Sequence, residues 1–284
     1  GEGEKNDSYL VTLGSGQKLV LRVSKGLGGD QLLRDEATAL KILNIPDVPS
    51  LIYFDDSRID GRKWILETYV EGVPVDGRLT LTQMENAGRM FAQIHSHKNG
   101  KKGIDLDFLF SDFTKSFGSR DFLKKHPDER LRSAISMFFY NLESNSVMLA
   151  DVEQSLIHGD ATMSNFLGMG DKVGLIDWEF SRFSDPMQDF STMFYEDIAY
   201  NRGKWRIKIS SKEKNALKKS YEEAGGTWDE RRLKFWILVD KLGAAIFLYW
   251  RINTCDHPTE PERMAQYKLD YETISNSLSS QYGY

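Results

Sequence analysis

The sequence predicts an α+β protein with two lobes: a small N-terminal lobe, built on an antiparallel sheet with one helix, and a larger, mostly helical C-terminal lobe. Two observations predict this division. Residues 1–70 hold short apolar runs of strand type, separated by turn residues and one helical stretch. Residues 71–284 show mainly helical spacing of apolar side chains, and Glu71-Gly72-Val73-Pro74 breaks the chain between the two patterns. We therefore place the lobes at residues 1–70 and 71–284.

The N-terminal lobe is predicted to open with a β-hairpin about the turn residues Gly14-Ser15-Gly16. The predicted strands of this lobe cover residues 9–13, 18–23, 51–54 and 63–70. Asp30 is positioned to cap a helix that reaches about residue 44. The apolar stripe of that helix consists of Leu33, Ala37, Leu40 and Leu43.

Glu36 lies on the same helical stripe, three residues after Leu33 and four before Leu40. A carboxylate that faces the core requires a partner, because burying an unpaired charge is costly. At the edge of the stripe it would instead reach water. Helix geometry alone leaves both readings open.

The C-terminal lobe is predicted to begin with a helix that starts at the capping box Thr82-Gln83-Met84-Glu85 and ends near His97. Residues 98–132 hold nine Lys or Arg side chains and are expected to form an exposed segment. Further helices are predicted at residues 131–142, 212–224 and 230–250.

Composition excludes several classes of partner. The formal net charge of −5 argues against nucleic acid, whose phosphate backbone attracts an excess of Lys and Arg. The longest apolar run, residues 242–250, is far short of the roughly 20 residues of a membrane span. Cys255 is the single cysteine, so no internal disulfide can form, and the polar first residues lack a secretory pattern. We therefore expect a cytoplasmic protein with no membrane partner.

Three polar side chains in the C-terminal half are candidates for one site. Asp160 and Asn165 would lie roughly 140° apart on a helix, so they can converge only on a loop. Asp177 follows a short predicted strand at residues 173–176, at a hairpin's distance from Asn165. Two carboxylates and an amide oxygen are hard ligands that suit Mg²⁺, which takes the rest of its shell from water and phosphates. This set matches the needs of phosphoryl transfer, where the protein orients the nucleophile and neutralises charge.

These residues also carry a resemblance. His158-Gly159-Asp160, with Asn165 five residues after the aspartate, and then Ile176-Asp177-Trp178-Glu179, resemble the aminoglycoside phosphotransferase and choline kinase families. Those families share the protein-kinase-like fold and move the γ-phosphate of ATP or GTP. The resemblance implies that Asp160 is the catalytic base and that Asn165 and Asp177 bind Mg²⁺. It also implies that His158 orders the catalytic loop and that Asp189, in Asp185-Pro186…Asp189, braces it.

The resemblance extends to the N-terminal lobe, which it makes the nucleotide-binding lobe. It implies that Arg22 reaches the nucleotide phosphates and that Glu36 is its partner. Many relatives have lysine at this position, whereas choline kinases use arginine; an arginine on a surface strand is the alternative. Residues 67–70 correspond to the hinge that holds the purine, so Glu67 and Tyr69 are expected at the nucleotide. The nucleotide loop is expected at residues 3–8, and the resemblance fades at residues 98–150 and after residue 200.

The acceptor is less defined. Residues 176–200 contain six acids and one base, Arg182. The acids are Asp177, Glu179, Asp185, Asp189, Glu196 and Asp197. Such a surplus attracts cations, and the neighbouring aromatic rings can face an ammonium group. These rings belong to Trp178, Phe180, Phe183, Phe194 and Tyr195. A cationic acceptor, either an aminoglycoside or a choline-like amine, would fit; alternatively the rings are core, the acids are solvated and the acceptor is a neutral sugar or homoserine.

Two other functions compete with a small-molecule kinase. A catalytically silent nucleotide-binding regulator is favoured only by the arginine at position 22, and the complete set of base and metal residues argues against it. A metal-dependent hydrolase would use the same acids. Its sites usually contain several histidines, whereas this cluster contains only His158.

Overall fold

The computed structural model describes residues 6–59, 62–75, 77–104, 126–140, 142–194, 209–254 and 261–282. The N-terminal lobe is a four-stranded antiparallel sheet with the strand order β1-β2-β4-β3. Its strands are β1 (Asn6–Thr12), β2 (Lys18–Ser24), β3 (Leu51–Ile59) and β4 (Arg62–Thr68). The predicted β1–β2 hairpin is confirmed, and it brings Ser8 opposite Arg22.

One helix, α1 (Leu27–Ile42), accompanies this sheet. The predicted stripe is buried, since Leu33 is 0% and Leu40 3% exposed. Asp30 was expected to cap the helix, but this prediction is wrong, because the helix already begins after Gly26. Gly26 has a φ of 147°, which turns the chain into the helix at a conformation that other residues rarely adopt. Asp30 therefore lies in the first turn, where its carboxylate accepts a hydrogen bond from the hydroxyl of Ser24.

The first helix of the C-terminal lobe is α2 (Leu81–His95), whose capping box differs from the predicted one. Thr80 is the N-cap: its hydroxyl accepts from the Gln83 amide at 3.2 Å, and the Gln83 side chain accepts from the Thr80 amide at 2.9 Å. Leu79 and Met84, at the two positions of a hydrophobic staple, are both buried. A start two residues later would lose that anchor, which explains the shift from Thr82.

The rest of this lobe is mostly helical, with two small three-stranded sheets ordered β10-β7-β6 and β5-β8-β9. Its helices are α3 (Glu129–Tyr140), α4 (Leu142–Leu149), α5 (Met187–Met193), α6 (Ser211–Glu223), α7 (Glu230–Thr254) and α8 (Pro261–Tyr282). Its strands are β5 (Val73–Pro74), β6 (Lys98–Lys102), β7 (Glu153–Ile157), β8 (Phe166–Met169), β9 (Lys172–Leu175) and β10 (Arg182–Ser184). An antiparallel-sheet N-lobe and a helical C-lobe confirm the predicted fold class.

The core of the C-terminal lobe is aromatic and reaches the start of β8, where Phe166 contacts Phe91. Phe190 contacts Phe91, Tyr221 and Trp228, with ring centroids 4.8–5.2 Å apart. Aromatic clusters of this kind bury large apolar areas and fix the angles of the helices that carry them.

The prediction that residues 98–132 form an exposed segment is confirmed only in part: β6 is exposed, whereas His126 and Leu131 are each 0% exposed. Residues 105–125 of that segment, and Cys255, lie outside the described ranges. No described helix has the length and hydropathy of a membrane span.

Candidate active site

The turn after β7 brings Asp160 and Asn165 into contact. The Asn165 side-chain nitrogen donates to the backbone oxygen of Asp160 at 2.8 Å and to its carboxylate at 3.0 Å. The Thr162 amide also donates to the Asp160 backbone oxygen at 2.8 Å, and a single 3₁₀ turn follows at Met163–Asn165. The residues between Asp160 and Asn165 thus form a turn, as predicted, and not a helix that would separate the two side chains.

The β8–β9 hairpin returns the chain to this turn. The amide of Ile176 donates to the backbone oxygen of Asn165 at 3.0 Å, so Asp177 lies beside the turn. Asp177 has a φ of 71°, in the left-handed region that non-glycine residues adopt mainly at special sites. The carboxylate of Asp177 and the amide oxygen of Asn165 are donors of the type that Mg²⁺ prefers, and one or two protein ligands suffice when phosphates complete the shell. No group of three or more His, Cys, Asp or Glu among the described residues is arranged to hold a metal by itself.

His158 links the turn to the hairpin. Its Nδ1 accepts from the Asp160 amide at 3.2 Å, and its Nε2 lies 3.0 Å from the backbone oxygen of Ile176. An amide can only donate, so Nδ1 is the unprotonated nitrogen and Nε2–H donates to Ile176. The imidazole also packs edge-on against the buried ring of Trp178, with centroids 4.7 Å apart. The side chain of His158 therefore fixes the backbone of Asp160.

Asp189 binds the backbone at the start of the same turn. Its two carboxylate oxygens accept from the amides of His158 and Gly159, both at 2.8 Å. His95 Nε2 lies 3.1 Å from Asp189, and the Tyr221 hydroxyl lies 3.0 Å from His95 Nδ1. Burial alone would raise the pKa of Asp189, but hydrogen bonds from His95 and the backbone lower the pKa below its usual value. Asp185, the other acid of the motif, accepts from Arg232 and from Trp236, each at 2.8 Å.

His95 contacts Asp189 and so supports this turn, although it was not among the residues predicted for the site. Its position four residues after Phe91 places it on the buried stripe of α2, and it is 4% exposed. A buried histidine requires hydrogen-bond partners, so this spacing was an available clue. The identity of the partner, Asp189, is set by tertiary packing.

Arg22 and Glu36 are in contact, as predicted. Glu36 therefore faces the core with a charged partner and does not reach water. Arg22 Nη1 donates to Glu36 at 2.5 Å, and the Glu36 side chain is fully buried. Arg22 Nη2 donates to Asp177 at 2.7 Å and to Glu179 at 2.8 Å. Burial by itself lowers an arginine's pKa, but the surrounding carboxylates, Glu36 foremost, raise the pKa of Arg22 above its usual value. Glu179 was not among the residues predicted for this network.

A cavity of about 600 Å³ lies between the β-sheet lobe and the turn that carries Asn165. Its walls include Arg22, Glu67, Tyr69, Asn165 and Asp177. The size suits a small molecule or nucleotide. Of the expected nucleotide loop, Asn6 also lines the cavity, whereas residues 3–5 lie outside the described ranges.

Glu67 and Tyr69 are both at the cavity, but they differ in environment. Glu67 is 5% exposed, and its Oε2 has no hydrogen-bond partner among the described residues. Burial, reinforced by the charge of Glu36, raises the pKa of Glu67 well above its usual value. Tyr69 lies under the ammonium group of Lys18, 5.1 Å from the ring centre.

The aromatic residues that were predicted as possible acceptor contacts differ in exposure. Trp178 and Phe194 are buried in the core and cannot face an acceptor, whereas Phe180 is 42% exposed beside the cavity. Tyr195, Glu196 and Asp197 lie outside the described residues.

A further acid, Asp240 on α7, was not predicted as a site residue. It accepts a hydrogen bond from the hydroxyl of Ser191 and interacts electrostatically with Arg182 and Asp160. Burial raises the pKa of Asp240 to about 7. The fold therefore brings a carboxyl group near Asp160 that no local pattern in the sequence indicates.

The chain resembles known phosphotransferases over nearly its whole length. It is similar, at 18% identity and a TM-score of 0.66, to the structure of aminoglycoside 2'-phosphotransferase-IIIa with GDP; 98% of this chain and 91% of that one are covered. It is similar to aminoglycoside-3'-phosphotransferase of type VIII at 21% identity and a TM-score of 0.59, with coverages of 85% and 90%. For spectinomycin phosphotransferase APH(9)-Ia with ADP and spectinomycin, the identity is 14%, the TM-score 0.61 and the coverages 98% and 90%.

These likenesses establish the fold, which is the protein-kinase-like fold that the motifs predicted. No curated protein matches the sequence significantly. The model of the phosphotransferase enzyme family, APH, matches residues 1–236, which is most of the chain. The chain therefore belongs to the APH phosphotransferase enzyme family.

Proposed function

We propose that this chain is a kinase that transfers the γ-phosphoryl group of ATP or GTP to a hydroxyl group of a small molecule, with Mg²⁺ as the cofactor. The observation that carries the proposal is the convergence of Asp160, Asn165 and Asp177 beside one cavity, which Asn165 and Asp177 line. Arg22, which Glu36 binds, lines the same cavity and contacts Asp177. Phosphoryl transfer requires an oriented nucleophile and a neutralised phosphate chain, and these side chains can supply both.

In this mechanism Asp160 orients the acceptor hydroxyl and accepts its proton. The His158 side chain and the Asp189 carboxylate hold the turn, so the carboxylate keeps its direction during transfer. Asn165 has two ends: its nitrogen donates to Asp160, which leaves its amide oxygen for the metal. Asn165 and Asp177 would hold Mg²⁺, which neutralises phosphate charge when bound. Arg22, fixed by Glu36, faces the phosphates, and the hinge segment with Glu67 and Tyr69 faces the nucleobase.

The acceptor in this proposal is cationic. Asp160 and Asp240 both lie on the catalytic side, and exposed Phe180 offers a ring face beside the cavity. Two carboxylates attract an ammonium group, and an aromatic face can complement it. Two similar structures, named above, are those of an aminoglycoside and a spectinomycin phosphotransferase, which fits an amine-bearing acceptor.

A substrate panel tests the proposal. The purified chain is incubated with Mg²⁺ and either ATP or GTP, together with aminoglycosides, spectinomycin, choline, ethanolamine, homoserine and sugars. We expect nucleoside diphosphate and a phosphorylated product with at least one amine, and no product with EDTA. Transfer only to homoserine or a sugar would reject the cationic acceptor but keep the kinase. Tight nucleotide binding with no transfer to any compound would instead favour a silent regulator.

A further inference from the structure

The guanidinium group of Arg22 is held at both ends. Nη1 donates to Glu36 at 2.5 Å, while Nη2 donates to Asp177 at 2.7 Å and to Glu179 at 2.8 Å. A lysine ammonium is a single point of charge and can be fixed by one carboxylate. A guanidinium is a planar fork with donors at separate ends, and Glu36 accepts here from Nη1 alone, so the other end is left to a different partner. An arginine at this position therefore needs a second acid as well as Glu36.

Glu179 is placed to be that second acid. Its side chain is only 9% exposed, as is that of Arg22. The oxygen that accepts from Arg22, Oε2, also accepts from the Asn6 side chain at 2.8 Å. One carboxylate oxygen thus joins β1, which carries Asn6, to β2, which carries Arg22, and to the segment after β9. Charge-assisted hydrogen bonds in a buried site are among the stronger ones in proteins.

Asp177 cannot serve as the lasting partner of Nη2 if it holds the metal, a role that rests on the proposed function. A carboxylate oxygen that binds Mg²⁺ is drawn away from a competing cation. We propose that Glu179 is a positioning residue for Arg22: it keeps the second end of the guanidinium facing the nucleotide phosphates and so frees Asp177 for the metal. Glu179 acts through Arg22 and touches neither the metal nor the reacting atoms.

A double-mutant cycle tests this role. ADP binding is measured by calorimetry, in EDTA and in Mg²⁺, for the wild type, Glu179→Ala, Arg22→Lys and the double variant. We expect Glu179→Ala to weaken ADP binding about 10-fold in Mg²⁺, because loss of a buried charge-pair partner has effects of this order or larger. In EDTA we expect a smaller loss, because Asp177 still accepts from Nη2 when no metal is bound. In the Arg22→Lys background the same change is expected to alter binding by less than about 2-fold, since coupled residues are non-additive.

Two controls accompany the cycle. Glu179→Gln keeps the size of the side chain and carries the test if the alanine variant does not fold; we expect a loss of about 3-fold, again only with Arg22 present. Glu272→Gln, on α8, disrupts an exposed ion pair with Arg130 and should leave ADP binding unchanged. Thermal unfolding of each variant verifies that the folded protein is compared.

The outcomes are distinguishable. Equal losses from Glu179→Ala with arginine and with lysine at position 22 would overturn the positioning role. A loss that is larger in EDTA than in Mg²⁺ would overturn it as well, because Asp177 would then not replace Glu179 as the partner of Nη2 when no metal is bound. A wild type that binds neither ADP nor ATP in either buffer would reject the proposed function, and this inference with it.

Discussion

At the scale of single residues, the catalytic proposal depends on Asp160. Replacing it with asparagine keeps the shape of the side chain but removes the proton acceptor. We expect Asp160→Asn to lower kcat by about 10²- to 10⁴-fold, the usual contribution of a general base, while the Kd for ADP changes less than about 3-fold. Transfer is measured by product formation and binding by calorimetry. Activity near that of the wild type would remove Asp160 from the role of base.

Asp240 makes a second residue-scale prediction, about pH. Burial raises the pKa of Asp240 to about 7 in the folded protein, whereas an aspartate in the unfolded chain has a pKa of roughly 4. Between these two pH values the folded protein therefore binds a proton that the unfolded chain has released. Stability from this group is therefore present at low pH and lost as pH rises through 7. Asp240→Asn should remove that loss. Between pH 5 and 8 the free energy of unfolding should fall by roughly 1–3 kcal/mol less in this variant than in the wild type.

Denaturant titration at both pH values checks this difference, with exposed Asp151→Asn as the matched control. Parallel pH dependences in the wild type and Asp240→Asn would contradict the raised pKa. If the acceptor is cationic, we also expect the KM for the acceptor to rise as pH falls below 7. Protonation of Asp240 would then remove a negative charge that attracts the acceptor.

At the scale of elements, α2 and α5 hold the catalytic turn through the His95–Asp189 contact. Removing a partner from a buried hydrogen-bonded acid costs about 1–3 kcal/mol. We expect His95→Ala to lower stability by that amount and kcat by at least about 10-fold. Its control is His97→Ala just after the same helix, where the ring nitrogen Nδ1 lies near the backbone oxygens of Gln93 and Ile94. Equal effects of the two variants would refute a specific role for His95.

The elements also show what the sequence could predict. The buried stripe of α1 and the β1–β2 hairpin follow from the periodic spacing of apolar side chains. The turn at Asp160 follows because residues 161–164 have no helix or strand periodicity. The strands β5 and β7 show no such periodicity, because distant partners determine their pairing. The same limit applies within the site. Asp160, Asn165 and Asp177 lie on one turn and its adjoining hairpin, whereas the Glu179–Asn6 contact joins residues 173 positions apart.

At the scale of the whole molecule, the nucleotide is predicted to bind both lobes, since the cavity has walls on each. A ligand that binds only the folded state stabilises it by about 2.7 kcal/mol at 100 times its Kd. For a chain of this length, we expect Mg²⁺ and ADP at that concentration to raise Tm by about 5 °C. Because Asp177 is the proposed metal ligand, Asp177→Asn should lose the part of this shift that depends on Mg²⁺ and keep the part seen in EDTA. A Mg²⁺-dependent shift that survives this substitution would show that the metal is held elsewhere.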